Sequence, residues 1–208
     1  EILNCIKKNK IKKIDLIFTM HLGGNAENIG EIYKLKQKLK FYVIEDACHS
    51  LGSKYILNKK KYFVGNSKHS DITTFSFHPL KTITTGEGGA ITTNNKYFAE
   101  KVFLLRSHGI KGRKNMQYDV VSYGFNFRLS DLNCALGITQ IKKINKILNY
   151  RKKLFKYYLN NLNNYKNVIQ FINDNYKYSS CHLAIVKINF KKLKISKKTF
   201  FQKLKKKQ

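Results

Sequence analysis

One stretch constrains this chain more than any other: residues 71–93, D-I-T-T-F-S-F-H-P-L-K-T-I-T-T-G-E-G-G-A-I-T-T. Apolar and hydroxyl residues alternate over 72–77, the pattern of a strand buried on at least one face. Pro79, the only proline in the sequence, stops that strand and leaves Lys81 in a turn. Gly86-Glu87-Gly88-Gly89 makes a second turn, and residues 90–93 read as a returning strand. A lysine between two strands is ordinarily a solvated surface charge, and with 37 lysines in the chain that reading carries weight. Its company argues the other way. Ser76 and His78 stand close by, and the glycines let a backbone or a ligand approach.

The residues upstream supply a scaffold for that turn. Residues 1–9 predict a helix, and D-L-I-F-T-M at 15–20 predicts a buried strand ending at H-L-G-G-N. Asn28 stands as the cap of a helix reaching about Leu39, with Ile32, Leu35 and Leu39 on one face. F-Y-V-I at 41–44 is a second strand, with Glu45-Asp46-Ala47 at its carboxyl end. Strand, helix, strand at this spacing is a parallel βαβ unit, so the economical architecture is an α/β doubly wound sheet. Ligands of such sheets bind beyond the carboxyl ends of the strands, where Asp46, His21 and the glycines after His21 fall. On local sequence alone, a carboxylate that merely starts a loop or caps a helix is as good a reading of Asp46 as a functional one.

Downstream, residues 96–106 predict an amphipathic helix with Phe98, Val102 and Leu105 inward. Ser130 and Asp131 suit the start of another, the hydroxyl as a cap and the carboxylate at the positive end of the dipole. Leu132, Leu136, Ile138, Ile141, Ile144 and Leu148 carry that helix past Asn149. Beyond Arg151 the composition coarsens into Lys, Asn and Tyr. The chain is therefore divided into a large domain, 1–149, and the beginning of a smaller one, 150–208. Residues 191–208 read as a basic helix of the latter.

Composition bounds the function. Forty-two per cent hydrophobic residues exclude wholesale disorder. A net charge of +29 points to nucleic acid, yet only four of the 41 basic residues are arginine, the usual bidentate reader of bases and phosphates. Lysine, isoleucine and 21 asparagines are abundant together, which suggests A/T-rich coding more than a selected basic surface. Cys5, Cys48, Cys134 and Cys181 are widely spaced, without metal-ligand rhythm, and read as reduced thiols in a cytoplasmic protein. No apolar run approaches the roughly 18–20 residues of a membrane span. The start at Glu1, without methionine or signal-peptide layout, reads as that of an internal or truncated piece.

S-F-H-P-L-K-T-I-T-T-G-E-G-G-A-I-T-T resembles the Schiff-base segment of the DegT/DnrJ/EryC1/StrS sugar aminotransferases, fold-type-I enzymes that use pyridoxal 5′-phosphate (PLP). Three further blocks support the resemblance: V-I-E-D-A-C-H-S-L-G-S around Asp46, R-S-H-G-I at 106–110, and G-F-N-F-R-L-S-D at 124–131. M-H-L-G-G-N at 20–25 is similar to a further family turn, with Met20 in place of its proline, and S-S-C-H-L-A-I-V at 179–186 resembles the family's small-domain strand. The resemblance implies that Lys81 bonds to the cofactor aldehyde, where an amine is the fitting nucleophile. A sister branch of dehydratases has histidine at this position, so Lys81 favours transamination. Asp46 is implied to hold the pyridine nitrogen protonated, keeping the ring an electron sink. His49 and Ser76 are implied cofactor contacts, and His78 a substrate contact. Asn126 would reach the cofactor phosphate of a neighbouring subunit, and Arg128 a substrate phosphate.

The fold so implied is a partial large PLP-binding domain with a mostly parallel sheet, plus the start of a small α/β domain. The activity implied is transfer of an amino group from glutamate to C4 of a nucleotide-linked 4-keto-6-deoxy sugar, in a homodimer with its site at the interface. Within the family, the blocks around Lys81 and Arg106 are most similar to the transaminases of pseudaminic acid synthesis. Other readings stay open: another nucleotide-sugar 3- or 4-aminotransferase, a non-catalytic remnant, or a basic nucleic-acid-binding protein. The family's usual phosphate loop would precede Glu1, so the 208-residue chain alone is expected to be an incompetent enzyme.

Overall fold

β-Branched and aromatic runs punctuated by polar turns build a four-stranded sheet, accompanied among the described residues by helices and three two-stranded antiparallel sheets. The computed structural model describes residues 1–26, 28–114, 117–172 and 175–207. A first helix, α1 (Ile2–Lys8), leads to β1 (Leu16–Met20), α2 (Ile29–Leu39) and β2 (Tyr42–Asp46). The hairpin β3 (Lys54–Leu57) and β4 (Lys60–Phe63) precedes β5 (Ile72–Ser76) and β6 (Gly89–Thr92). Then come α3 (Lys96–Arg106) and the hairpin β7 (Ile110–Lys114) and β8 (Gln117–Val120). The chain continues through α4 (Asp131–Lys142), α5 (Ile144–Leu162), β9 (Ile169–Phe171), β10 (Val186–Ile188), α6 (Phe190–Leu193) and α7 (Lys197–Lys205).

The sheet order is β1-β2-β5-β6. The first three strands are parallel and β6 returns antiparallel to β5. The expected βαβ unit is present, and the turn after Pro79 leads back into the sheet as expected. Alternate residues point to opposite faces, so Val43 and Glu45 of β2 are buried, as are Thr73 and Phe75 of β5. One apolar cluster joins Ala26, Ile29, Ala47, Tyr55, Leu57, Val64 and Phe75. A second holds Ile32, Phe41 and Val43, with Leu35 packed against it.

Several local expectations need correction. Asn28 precedes α2, but its side chain makes no capping hydrogen bond; its carbonyl accepts from Ile32 N instead. The long helix starting at Asp131 is two helices. Lys143 sits at φ −94°, ψ −2°, and its N–H reaches the Gln140 carbonyl, a tightened last turn that lets α5 set off anew. α5 then runs without a break across 149–150, so the expected division falls inside a helix. Residues 179–185 form no strand; β10 begins at Val186. The basic helix at 191–208 is α6 and α7 joined at Ser196, which caps α7 by accepting from Thr199 N; its expected end at Gln208 lies outside the described residues.

Asp71 ties the helix layer to the sheet at the start of β5. Its Oδ2 accepts from Lys36 Nζ at 2.6 Å and from Val43 N at 2.7 Å. Its own N–H donates to the Val43 carbonyl, and its carbonyl accepts from Thr93 Oγ1. Asp71→Ala removes an acceptor from a buried strand and leaves Lys36 without its partner. Urea unfolding should show a loss of about 2 kcal/mol, whereas Asp71→Asn, which can still accept from Val43 N, should lose less.

Candidate active site

Parallel pairing aligns Met20 with Asp46 and Asp46 with Thr74, so the three carboxyl ends of β1, β2 and β5 stand side by side. The ladder continues one step past the strands: His21 N donates to the Asp46 carbonyl at 3.0 Å, and Ala47 N to the Thr74 carbonyl at 2.9 Å. Three turns are thereby fixed against one another. Under them lies a buried pair, His21 Nε2 and Glu45 Oε2, 2.9 Å apart, with both side chains nearly inaccessible.

After β5 the chain folds into the Lys81 turn. Lys81 is half-buried and its N–H donates to the His78 carbonyl at 2.9 Å. Ser76 Oγ accepts from His78 N at 3.3 Å, and His78 Nδ1 from Leu80 N at 3.2 Å. Thr85 N closes the loop onto the Phe77 carbonyl. Thr82, Ile83 and Thr85 are buried, which seats a turn that carries an exposed proline. The His78 ring also faces Glu87, at 3.9 Å.

Electrostatics join Lys81 to the β2 end. Burial pushes the Asp46 carboxyl up, but hydrogen bonding from Cys48 and the charges of His49 and Lys81 outweigh it, so it titrates below the ordinary carboxylate value. Cys48 N donates to Asp46 Oδ1 at 3.0 Å. The Cys48 thiol is pushed up to about 11 by burial and by Asp46. Burial and Lys81 lower His49. At neutral pH the group therefore holds one carboxylate, a neutral thiol and a neutral imidazole around the lysine.

A fourth segment, which sequence reasoning assigned to a strand of another domain, closes on this group. Ser180 N donates to Ser53 Oγ at 2.8 Å, and Ser180 Oγ to the His49 carbonyl at 2.6 Å. His182 N donates to the Gly23 carbonyl at 2.9 Å, and Arg151 of α5 holds the His182 carbonyl at 3.2 Å. Gly24 permits this approach: at φ +101° a Cβ would collide with the Ser180 hydroxyl. The His182 ring lies 4.3 Å from the His49 ring. Burial, His49, Arg151 and Lys81 hold its pKa down to about 4. A run of Ser-Ser-Cys-His carries no local signal of this, because the contact depends on α5 returning the chain to the sheet.

The structure thus brings together Asp46, His49, Ser76, His78 and Lys81. Asn126 and Arg128 are exposed and belong to a different locality, the C-terminal end of α3. There Asn126 bridges to Ser107, and Arg128 Nη2 lies 3.4 Å from His108 Nε2. The same loop nonetheless leads to the Lys81 turn, since Asn133 Nδ2 donates to the Glu87 carbonyl at 3.3 Å.

A pyridine ring carrying an aldehyde fits what is present at the β2 and β5 ends. Asp46 is a carboxylate held ionised, the partner that a protonated ring nitrogen needs. Lys81 offers an amine within its electrostatic reach, and Thr82 Oγ1 is buried next in sequence without a hydrogen-bond partner among the described residues.

The sequence profile described as the DegT/DnrJ/EryC1/StrS aminotransferase family matches residues 3–208. A UDP-4-amino-4,6-dideoxy-N-acetyl-β-L-altrosamine transaminase of Campylobacter jejuni subsp. jejuni serotype O:23/36 (strain 81-176) is 42% identical over 172 residues, which are 82% of this chain and 44% of that protein. Among solved structures, Helicobacter pylori PseC, an aminotransferase involved in the biosynthesis of pseudoaminic acid, superposes with a TM-score of 0.81 at 29% identity, covering 96% of this chain and 52% of PseC. Bacillus subtilis NtdA, solved with the cofactor PMP bound, gives 0.72 at 27% identity, covering 86% and 39%. The chain spans about half the length of the proteins it matches.

Two outcomes follow from the geometry. Glu45→Ala leaves a buried His21 ring nitrogen without its partner and should cost about 1–3 kcal/mol in urea unfolding. Lys13→Ala, which breaks a surface pair with Asp15, should leave the midpoint where it was. The second concerns acid. Because the folded His182 binds its proton only near pH 4, against an ordinary value of 6.5, the unfolded chain takes up protons first. Stability should fall as pH drops from 6.5 toward 4, and His182→Gln should flatten that slope.

Proposed function

We propose, for a chain that belongs to the DegT/DnrJ/EryC1/StrS aminotransferase family, that the protein carrying it moves an amino group from glutamate to C4 of a nucleotide-linked 4-keto-6-deoxy sugar, as in pseudaminic acid synthesis. PLP is its cofactor. The observation that carries the reading is Lys81 held at the ends of three parallel strands, within electrostatic reach of an ionised Asp46.

When bound, PLP supplies an electron sink that stabilises negative charge on the carbon losing its proton. Asp46 keeps a proton at the pyridine nitrogen, and its lowered pKa suits that duty. Lys81 would hold the cofactor at its aldehyde carbon and, as a free amine once substrate has taken its place there, would carry the proton at the substrate carbon. Ser76 and His49 are cofactor contacts, the hydroxyl toward the phosphate. His78, on the same turn as Lys81, contacts substrate.

Asn126 and Arg128 enter this reading through a second subunit, Asn126 at the cofactor phosphate and Arg128 at a substrate phosphate. Their exposure is consistent with that, as are the apolar side chains around them: Tyr123, Phe127 and Leu132 are 95%, 69% and 84% exposed. A homodimer would cover them. The cytoplasm fits four cysteines that are all free.

The test uses the protein carrying residues 1–208. Borohydride after PLP should fix cofactor mass on the peptide containing Lys81, and Lys81→Ala should abolish it; fixation on another lysine contradicts the assignment. Asp46→Asn should fold normally yet lose turnover by at least about two orders of magnitude. Turnover of a different nucleotide-linked keto sugar, with C3 aminated, would leave the cofactor chemistry standing and replace the substrate.

A further inference from the structure

We propose that His182 is a positioning residue: it backs one face of the His49 ring and fixes that ring flat for the cofactor to lie against. This rests on the reading above, in which His49 meets PLP.

His49 is restrained on several sides. Its carbonyl accepts from Ser180 Oγ and its Nδ1 lies 3.4 Å from Gly23 N. With the Gly23 N–H donating to Nδ1, a neutral His49 carries its proton on Nε2. Against this ring lies His182, 4.3 Å between centroids and tilted by 31°. That is a close, tilted ring-on-ring contact, in which the two rings trade dispersion contacts without a hydrogen bond.

What the His182 ring does not do is equally informative. Its Nδ1 is buried and has no hydrogen-bond partner among the described residues. Buried polar atoms are normally satisfied because leaving them unpaired is costly. Hydrogen bonding through this nitrogen is therefore not what holds the ring; the ring contact it makes is its face on His49. Neutrality matters too, because Lys81 and Arg151 stand near and a charged ring would be repelled. The backbone is set for the purpose. His182 N is tied to the Gly23 carbonyl, its carbonyl to Arg151, and the preceding Ser180 to Ser53. Ser53 Oγ in turn donates to the Gly24 carbonyl at 2.7 Å. One turn, Gly23-Gly24, thus holds both the Nδ1 edge of His49 and the strand of chain that presents His182.

The role predicts that flatness, not a nitrogen, is required. PLP binding to the protein carrying residues 1–208 is followed by the visible circular dichroism induced in the cofactor and by its dissociation constant. His182→Leu, similar in bulk but not flat, should weaken binding about tenfold and diminish the induced signal. His182→Phe should stay within about twofold of wild type on both. Melting of the cofactor-free proteins reports whether each variant folds. In a His49→Ala background the step from His182 to Leu should vanish. Leucine binding as wild type does, or phenylalanine failing as leucine does, overturns the proposal alone. A wild type that takes up no PLP overturns the reading beneath it, and the proposal with it.

Discussion

Parallel pairing of β1, β2 and β5 is the constraint on which the site depends. In a parallel sheet every strand ends on the same side, so residues far apart in sequence meet without any attraction of their own. Met20, Asp46 and Thr74 share one register row, and the chain's turns begin from there. The pairing is itself secured from below by Asp71, which bonds the backbone of β2 and the side chain of α2. A slip of one residue would turn Glu45 and Val43 outward and bury Asp46 and Ile44. The buried His21–Glu45 pair makes such a slip expensive, because Glu45 would swing away and leave His21 buried without its partner.

Charge at the site is organised against the background of the chain. A protein of net charge +29 offers few carboxylates, and Asp46 is one of 12 acidic residues. Its position beside Lys81 is thus a local inversion of an otherwise cationic chain. Burial alone would favour a neutral acid there; hydrogen bonding from Cys48 and neighbouring positive charge keep it ionised. Burial first, and then neighbouring positive charge, keeps His49 and His182 neutral. Lys81 adds to all three shifts in a lesser part, in a site proposed to hold a ring nitrogen protonated.

Much of this was legible in the sequence, and the reasons differ by element. The β5 turn was readable because its signals are local: alternating Ile72-Thr73-Thr74-Phe75, a stop at Pro79, glycines at the return. The parallel pairing of β1 with β2 followed from their separation by one helix. The β3–β4 hairpin was not read, since K-Y-I-L-N-K-K-K-Y-F alternates too weakly against so many lysines. The break at Lys143 was hidden because apolar residues continue across it at helical spacing. His182 was missed for a different reason. Nothing within ten residues of it indicates a site, and its placement depends on Arg151, Ser53 and Gly24, three residues brought together only by the tertiary fold.

The central claim is that three strand ends and one returning segment assemble a single cofactor site around Lys81 and Asp46. A crystal structure of the PLP-bound protein tests it most directly. The account predicts the Lys81 nitrogen bonded to the cofactor's aldehyde carbon, an Asp46 oxygen within hydrogen-bonding distance of the ring nitrogen, and His49 against the ring with His182 behind it. Cofactor density elsewhere, or a ring nitrogen facing any group other than Asp46, would contradict it.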